Sequence, residues 1–293
     1  MLRRVPWILA ACALSAAPAV AQMQNDLLDV LTIQIKPDKS AQFEAAAKKI
    51  TAANRQNGGS DWVAVSQEYG PGYTIRIIST RDNFAAIEES SKSFMAALTK
   101  AYGEAATEQI FREIDACTES SHSEVRRRRW DLSANAPADA AAMARLVGEA
   151  RLVQTSVIRA RPGQGARVEE QIRALKAAFE KATPKVPWLV SQAVAGQAGS
   201  VYYVTTLRRS LGELDSSPTA SQLLGPDGYA SYTRALSEAV LSSENYIGRY
   251  RPELSNPAAT IVAAAPEYWS PAPALASKGK DPSGKATAAK KQQ

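Results

Sequence analysis

The sequence predicts an α+β fold in which one β-α-β-β-α-β unit is used twice, and three observations predict it. The first is self-similarity. Thr32-Ile-Gln-Ile-Lys-Pro37 matches Val157-Ile-Arg-Ala-Arg-Pro162, Trp62-Val63 matches Trp188-Leu189, and Tyr69-Gly-Pro-Gly72 matches Gly196-Gln-Ala-Gly199. Further on, Ile110-Phe-Arg-Glu-Ile114 matches Tyr232-Thr-Arg-Ala-Leu236, Arg127-Arg-Arg129 matches Arg249-Tyr-Arg251, and Asp131-Leu-Ser133 matches Glu253-Leu-Ser255. All fall in one order, at an offset of about 122 to 127 residues. The second is period-two alternation from Leu28 to Lys36, the mark of a half-buried strand. The third is helical spacing of Phe43, Ala47 and Ile50, and of Val168, Ile172, Leu175 and Phe179.

The elements follow in order. Pro37 ends the first strand because it has no N–H to donate to a ladder. Ser40 is placed to cap the helix that follows. Asn57-Gly58-Gly59 stops that helix, since glycine tolerates the left-handed cap conformation. Trp62 to Tyr69 and Tyr73 to Thr80 read as two strands around Gly70-Pro71-Gly72. Asp82 to Thr118 carries helical patterns with a break at Gly103, and Val125 to Leu132 reads as the last strand. A loop, Ser133 to Asp139, and a short helix, Ala140 to Arg145, lead to the second copy. The predicted organisation is a leader at 1–21, a first unit at 22–133, a linker at 134–145 and a second unit at 146–257. A C-terminal extension at 258–293 ends in a Pro/Ala/Lys-rich tail too poor in apolar residues to order itself.

The leader sets the expected compartment. Arg3 and Arg4 precede an apolar run, Val5 to Ala17, and Ala19-Val20-Ala21 gives the small-x-small pattern that signal peptidase reads. The expectation is a periplasmic or secreted chain starting at Gln22. Leu9-Ala10-Ala11-Cys12 also matches a bacterial lipobox, which offers a lipidated Cys12 as the alternative. Loss of the leader leaves Cys117 as the single thiol, so no intramolecular disulfide is expected, and its apolar surroundings read it as a small buried hydrophobe.

Composition excludes several classes. With 45% hydrophobic and 22% charged residues, the chain is neither mostly disordered nor a multi-span membrane protein. One His and two Cys exclude a His-based metal cage, a zinc ribbon and a disulfide-stapled scaffold. The formal charge of +6 resides in the two leader arginines and in the tail, whose five lysines against Asp281 give +4, so the body from Gln22 to Trp269 is formally neutral. A nucleic-acid partner is therefore not expected. Weak contact with the cell envelope through the basic tail, or an inert solubilising tail, both remain open.

The order β-α-β-β-α-β is the ferredoxin-like unit. Right-handed crossovers place both helices on one sheet face, and a tandem copy can cover the other. From Gln24 to about Pro257 the chain resembles the dimeric α/β-barrel superfamily, which includes antibiotic-biosynthesis-monooxygenase-like, EthD-like and NIPSNAP-like domains. The resemblance rests on element order, the helix-flanking prolines, Trp62 and Trp188 at the second strand, and the internal repeat. It implies two ferredoxin-like units packed as an intrachain pseudo-dimeric barrel, monomeric as a whole. The superfamily holds cofactor-free oxygenases, haem-degrading enzymes and isomerases, so the resemblance implies no single reaction.

No nucleophile elbow, P-loop, EF-hand loop or His-Glu-x-x-His motif is present, and no cofactor is expected. Pro162-Gly163-Gln-Gly165 lacks the third glycine of a nucleotide-binding turn. His122, opposite Glu244 in the second copy, reads as a solvated loop residue; haem-degrading relatives place their histidine on a helix with companions that have no match here. Trp62 and Trp188 read as packing between helix and sheet, and Tyr102, Tyr229 and Tyr232 as packing residues with a polar tip. Strand alternation puts Ile33, Ile75 and Ile77 on the helix side. It puts Gln34, Lys36, Thr74 and Arg76 on the other, with Arg159, Arg161 and Tyr203 in the second copy. If Arg127, Arg129, Arg249 and Arg251 share that face, nine residues (Lys36, Arg76, Arg127, Arg129, Arg159, Arg161, Tyr203, Arg249 and Arg251) line a site for a small anionic or aromatic ligand. The competing reading puts the arginines at strand ends, solvated or paired with Glu68, Asp131 or Glu253. Three functions stay open: a small-molecule binder, a cofactor-free monooxygenase or isomerase-like enzyme, and an envelope interaction module.

Overall fold

The computed structural model describes residues 27–270. The expected signal peptide, the lipobox at Cys12 and the lysine-rich tail lie outside these residues. The first half runs β1 (Leu27–Ile35), α1 (Ser40–Asn57), β2 (Val63–Tyr69), β3 (Thr74–Arg81), α2 (Phe84–Tyr102), α3 (Glu104–Cys117) and β4 (Thr118–Arg128). After α4 (Ala140–Glu149) come β5 (Leu152–Ala160), α5 (Gly165–Lys181), β6 (Leu189–Ala195), β7 (Val201–Arg208), α6 (Ala220–Ala239) and β8 (Val240–Tyr250). Two short helices, α7 (Ala259–Ala264) and α8 (Pro266–Trp269), close the chain.

All eight strands join one closed antiparallel barrel in the order β1-β3-β2-β8-β5-β7-β6-β4. Both halves contribute four adjacent strands, and β2–β8 and β4–β6 are the seams. Closure leaves no free sheet face, which is how the expected second partner is supplied. At the β2–β8 seam the two strands come so close that a Cβ on Gly248 would stand 2.4 Å from a Val65 methyl. Glycine is required there for room rather than for backbone freedom.

Alternation works as expected on β1 and β3. Ile33, Ile35 and Ile75 are buried against Phe43 of α1 and Cys117 of α3. Gly58, at φ +63°, ends α1 as the left-handed cap. Ser40 does not cap α1: a 3₁₀ turn, Pro37–Lys39, runs directly into the helix, and no side chain caps it. The last strand of the first half begins seven residues earlier than its apolar pattern indicates, because Thr118 to Glu124 pair with β1 while staying polar and largely exposed. His122 is therefore a strand residue, paired with Thr32, and not part of a loop.

Reciprocal clasps hold the halves together. Arg129, after β4, binds Asp131 and reaches Glu169 of α5 at 2.7 Å. Arg251, after β8, binds Glu253 and reaches Glu44 of α1 at 2.8 Å. Ser133 Oγ donates to Arg129 O and accepts from Val190 N; Ser255 Oγ does the same with Arg251 O and Ala64 N. One end of the barrel is plugged by α7 and α8. There Trp269, 1% exposed, packs with Val63, Val65, Val153 and Tyr250, and its indole N–H donates to Gly148 O at 2.9 Å.

Candidate ligand site

Three of the nine basic and tyrosine positions singled out from sequence meet inside the barrel. Arg76 lies over the Tyr246 ring at 3.9 Å and donates to Gln67 Oε1. The Tyr203 hydroxyl donates to Glu124 at 2.5 Å, and Arg159 donates to Gln197 Oε1 at 3.0 Å. The other six are elsewhere. Arg127 and Arg161 are exposed, and Lys36 donates to Ala116 O at the end of α3. Arg129 and Arg251 form the clasps above, and Arg249 pairs with Glu68. The pairing with Glu68, Asp131 and Glu253 is the competing reading of the sequence. The register of β4 explains it. Leu28, which faces inward, pairs with Arg126, so the inward guanidinium is one residue away from the matched positions.

Arg126 is the residue that sequence reasoning missed. It is buried, binds Glu124 through two nitrogens and lies 3.4 Å from the centre of the Tyr203 ring. Burial alone would raise the Glu124 carboxyl, but the charge of Arg126 and hydrogen bonds from Tyr203, Arg126 and Gln197 hold it below its ordinary value. Burial pushes the Tyr203 phenol well up, so it stays a donor. Gln197 also meets His122 Nε2 at 3.0 Å. The interior is thus a set of mutually satisfied polar groups, packed with Val157, Val201 and Tyr246, and these contacts already engage the groups a ligand would need.

The open space lies on the other face of the first half. A cavity of about 570 Å³ sits between β1 and β3 below and α1, α2 and α3 above. Its walls include Leu31, Ile77, Ile50, Phe94, Phe111 and Ile114, all only half-buried, together with the buried Trp62, Phe43 and Ile75. Trp62 meets Phe94 edge-on at 5.8 Å and donates its indole N–H to Leu254 O, so it both packs and forms wall. The exposed Ser91, Met95, Asp115 and Ser121 mark the rim.

The polar end of this cavity is built by Asp29, Ser79, Arg81, Ser60 and Ser90. Arg81, 7% exposed, is held by Asp61 Oδ1 at 2.8 Å and by the Ser60 and Ser90 hydroxyls, while its Nε has no partner among the described residues. Ser79 donates away from the cavity, to Asp61 O. Asp29 differs from both. Among the described residues no hydrogen bond reaches its carboxylate. Burial raises its pKa above the usual aspartate value, and the charge of Arg81 offsets only part of that rise.

The second half fills the same place. Ile75 is replaced by Tyr202, whose hydroxyl bonds Glu169 at 3.0 Å and is pushed up to about 12 by burial and that carboxylate. Ile77 and Ile50 correspond to Val204 and Leu175, both buried, and Phe179 stacks on Trp188 at 5.3 Å. Asp29 corresponds to Gln154, which accepts from Thr206 at 3.1 Å. The signal in the sequence was the pair of differences Ile75/Tyr202 and Asp29/Gln154 between equivalent strand positions of the two halves.

No family model and no curated protein sequence matches the chain. Solved structures of similar arrangement include an anthrone oxidase-like protein, at 10% identity and TM-score 0.49, covering 78% of this chain and 92% of that one. A haem-binding protein from Thermus thermophilus aligns at 12% identity and TM-score 0.43, over 78% of this chain and 93% of that one. A mutant chlorite dismutase from Candidatus Nitrospira defluvii aligns at 8% identity and TM-score 0.44, over 79% and 93%.

Proposed function

We propose that the chain is an exported small-molecule-binding protein whose ligand sits between the helices and the sheet of the first half. One observation carries this reading: the first half leaves apolar side chains half-buried around about 570 Å³, where the second half fills the equivalent place with Tyr202 and its neighbours. That volume lies in the usual range for ligand pockets, and half-buried Phe, Ile and Leu facing one space gain when a ligand removes them from water. The signal-peptide pattern of residues 1–21 supports the exported setting. Among the described residues the cavity walls present no imidazole, thiol or phenol, so these walls do not suit axial ligation of a haem iron.

A second reading, an enzyme acting without a cofactor, is favoured by Asp29. A carboxylate with a raised pKa in an apolar site is suited to take a proton from a bound substrate. Native mass spectrometry of the chain purified gently from a periplasmic fraction tests the common core of both readings. The expected result is added mass of one small molecule on the folded monomer, or uptake of added indole, with neither seen in Ile75→Tyr. A wild-type chain that carries nothing and takes up no indole contradicts the proposal.

A further inference from the structure

The cavity also indicates the head group of its ligand. Of the ionisable groups that line it, Arg81 is already neutralised by Asp61, and Asp115 stands at the exposed rim. Among the described residues, Asp29 is inside with no hydrogen bond to its carboxylate, sharing only the charge of the Arg81 that Asp61 holds. Its neighbours on the flanking strands give it nothing: Ser79 donates to Asp61 O, and Val125 is apolar. A desolvated carboxylate gains most from a cation that also donates hydrogen bonds. Trp62, Phe43, Phe94 and Phe111 provide aromatic surface suited to the rest of such a molecule, and ring faces favour a cation further.

We propose that the cavity selects an amphipathic amine, with an aromatic body among Trp62, Phe94 and Phe111 and a protonated nitrogen on the Asp29 carboxylate. This rests on the cavity being the ligand site and goes further by fixing the sign of the ligand's charge. It departs from the anionic ligand that the arginine-rich strands left open, because Arg129, Arg249 and Arg251 pair with carboxylates, Arg76 and Arg159 bind Gln67 and Gln197 inside the barrel, and Arg127 and Arg161 are exposed.

Calorimetric titration of the full chain with tryptamine, tryptophol and indole-3-acetate tests it, since the three share a body and differ in head group. Tryptamine should bind one to one and at least about tenfold tighter than the other two, the usual value of one charge-assisted hydrogen bond. Asp29→Asn should remove that preference. Should the Asn variant fail to fold, the pH dependence of the wild type decides. Arg81 and Ser79 from β3, Ser90 from α2 and Asp115 from α3 share the cavity with Asp29, and among the described residues no lysine or histidine lines it. Tryptamine affinity should therefore fall as acid protonates Asp29, while tryptophol affinity stays level. Equal or tighter binding of tryptophol or indole-3-acetate overturns the amine assignment and leaves the cavity reading standing. Binding of none of the three overturns both.

Discussion

Ile75 and Tyr202 hold the same place in the two halves: Ile75 pairs with Ile33 across β1 and β3, and Tyr202 with Ile158 across β5 and β7. One leaves room between sheet and helices, and the other fills it and ties its hydroxyl to Glu169. Glu44 stands on α1 where Glu169 stands on α5, so the first half already holds an acceptor for a tyrosine at 75. Ile75→Tyr should fold, melt within a few degrees of wild type, and lose ligand binding by more than about tenfold. Thermal denaturation together with titration checks both halves of this expectation.

Asp29 should cost the empty protein stability. Its folded pKa is raised, so the folded state binds its proton more tightly than the unfolded chain does. Stability from this group is greatest when it is protonated and falls as pH rises through the folded pKa. Asp29→Asn should therefore raise the melting temperature at pH 7, with the gain shrinking as pH falls into the carboxylate range. Melting curves across that range would expose a wrong sign directly.

Glu124 should behave in the opposite way. Its folded pKa is depressed, so its contribution is present above the ordinary carboxylate value and is lost as pH falls through the folded one. Glu124→Gln leaves the buried Arg126 without its carboxylate, at a cost of about 3 kcal/mol. Urea unfolding at pH 7 measures that loss, and a flatter acid limb in the variant checks its origin.

The plug at the barrel end is a separate source of stability. Trp269→Ala removes an indole packed edge-on against Tyr250 and Tyr268, and leaves Gly148 O with Arg151 as its remaining side-chain donor. A loss of about 3–5 kcal/mol is expected, with tryptamine affinity unchanged wherever the protein remains folded. A drop in affinity would couple the plug to the cavity, for which the geometry gives no path.

Element order and the helix-facing side of β1 and β3 were readable because Ile33, Ile75 and Ile77 alternate with polar residues. The inward face of β4 was not. Its first seven residues, Thr118 to Glu124, lie beyond the reach of β6 and are largely exposed, so no apolar alternation marks their register. The matched arginines after β4 and β8 are alike because each clasps the first helix of the opposite half, a reason that needs the contacts to be seen. The cavity itself is an absence of side-chain volume. Only comparison of the two halves, Ile75 against Tyr202 and Asp29 against Gln154, could have located it.

Methyl NMR of the full chain titrated with indole tests the central claim most directly. The account predicts saturable shifts at Ile77 and Ile114, which face the cavity, with Val157 and Val201 inside the barrel unmoved. Shifts at Val157 and Val201 with Ile77 and Ile114 silent would place the ligand in the barrel and contradict it.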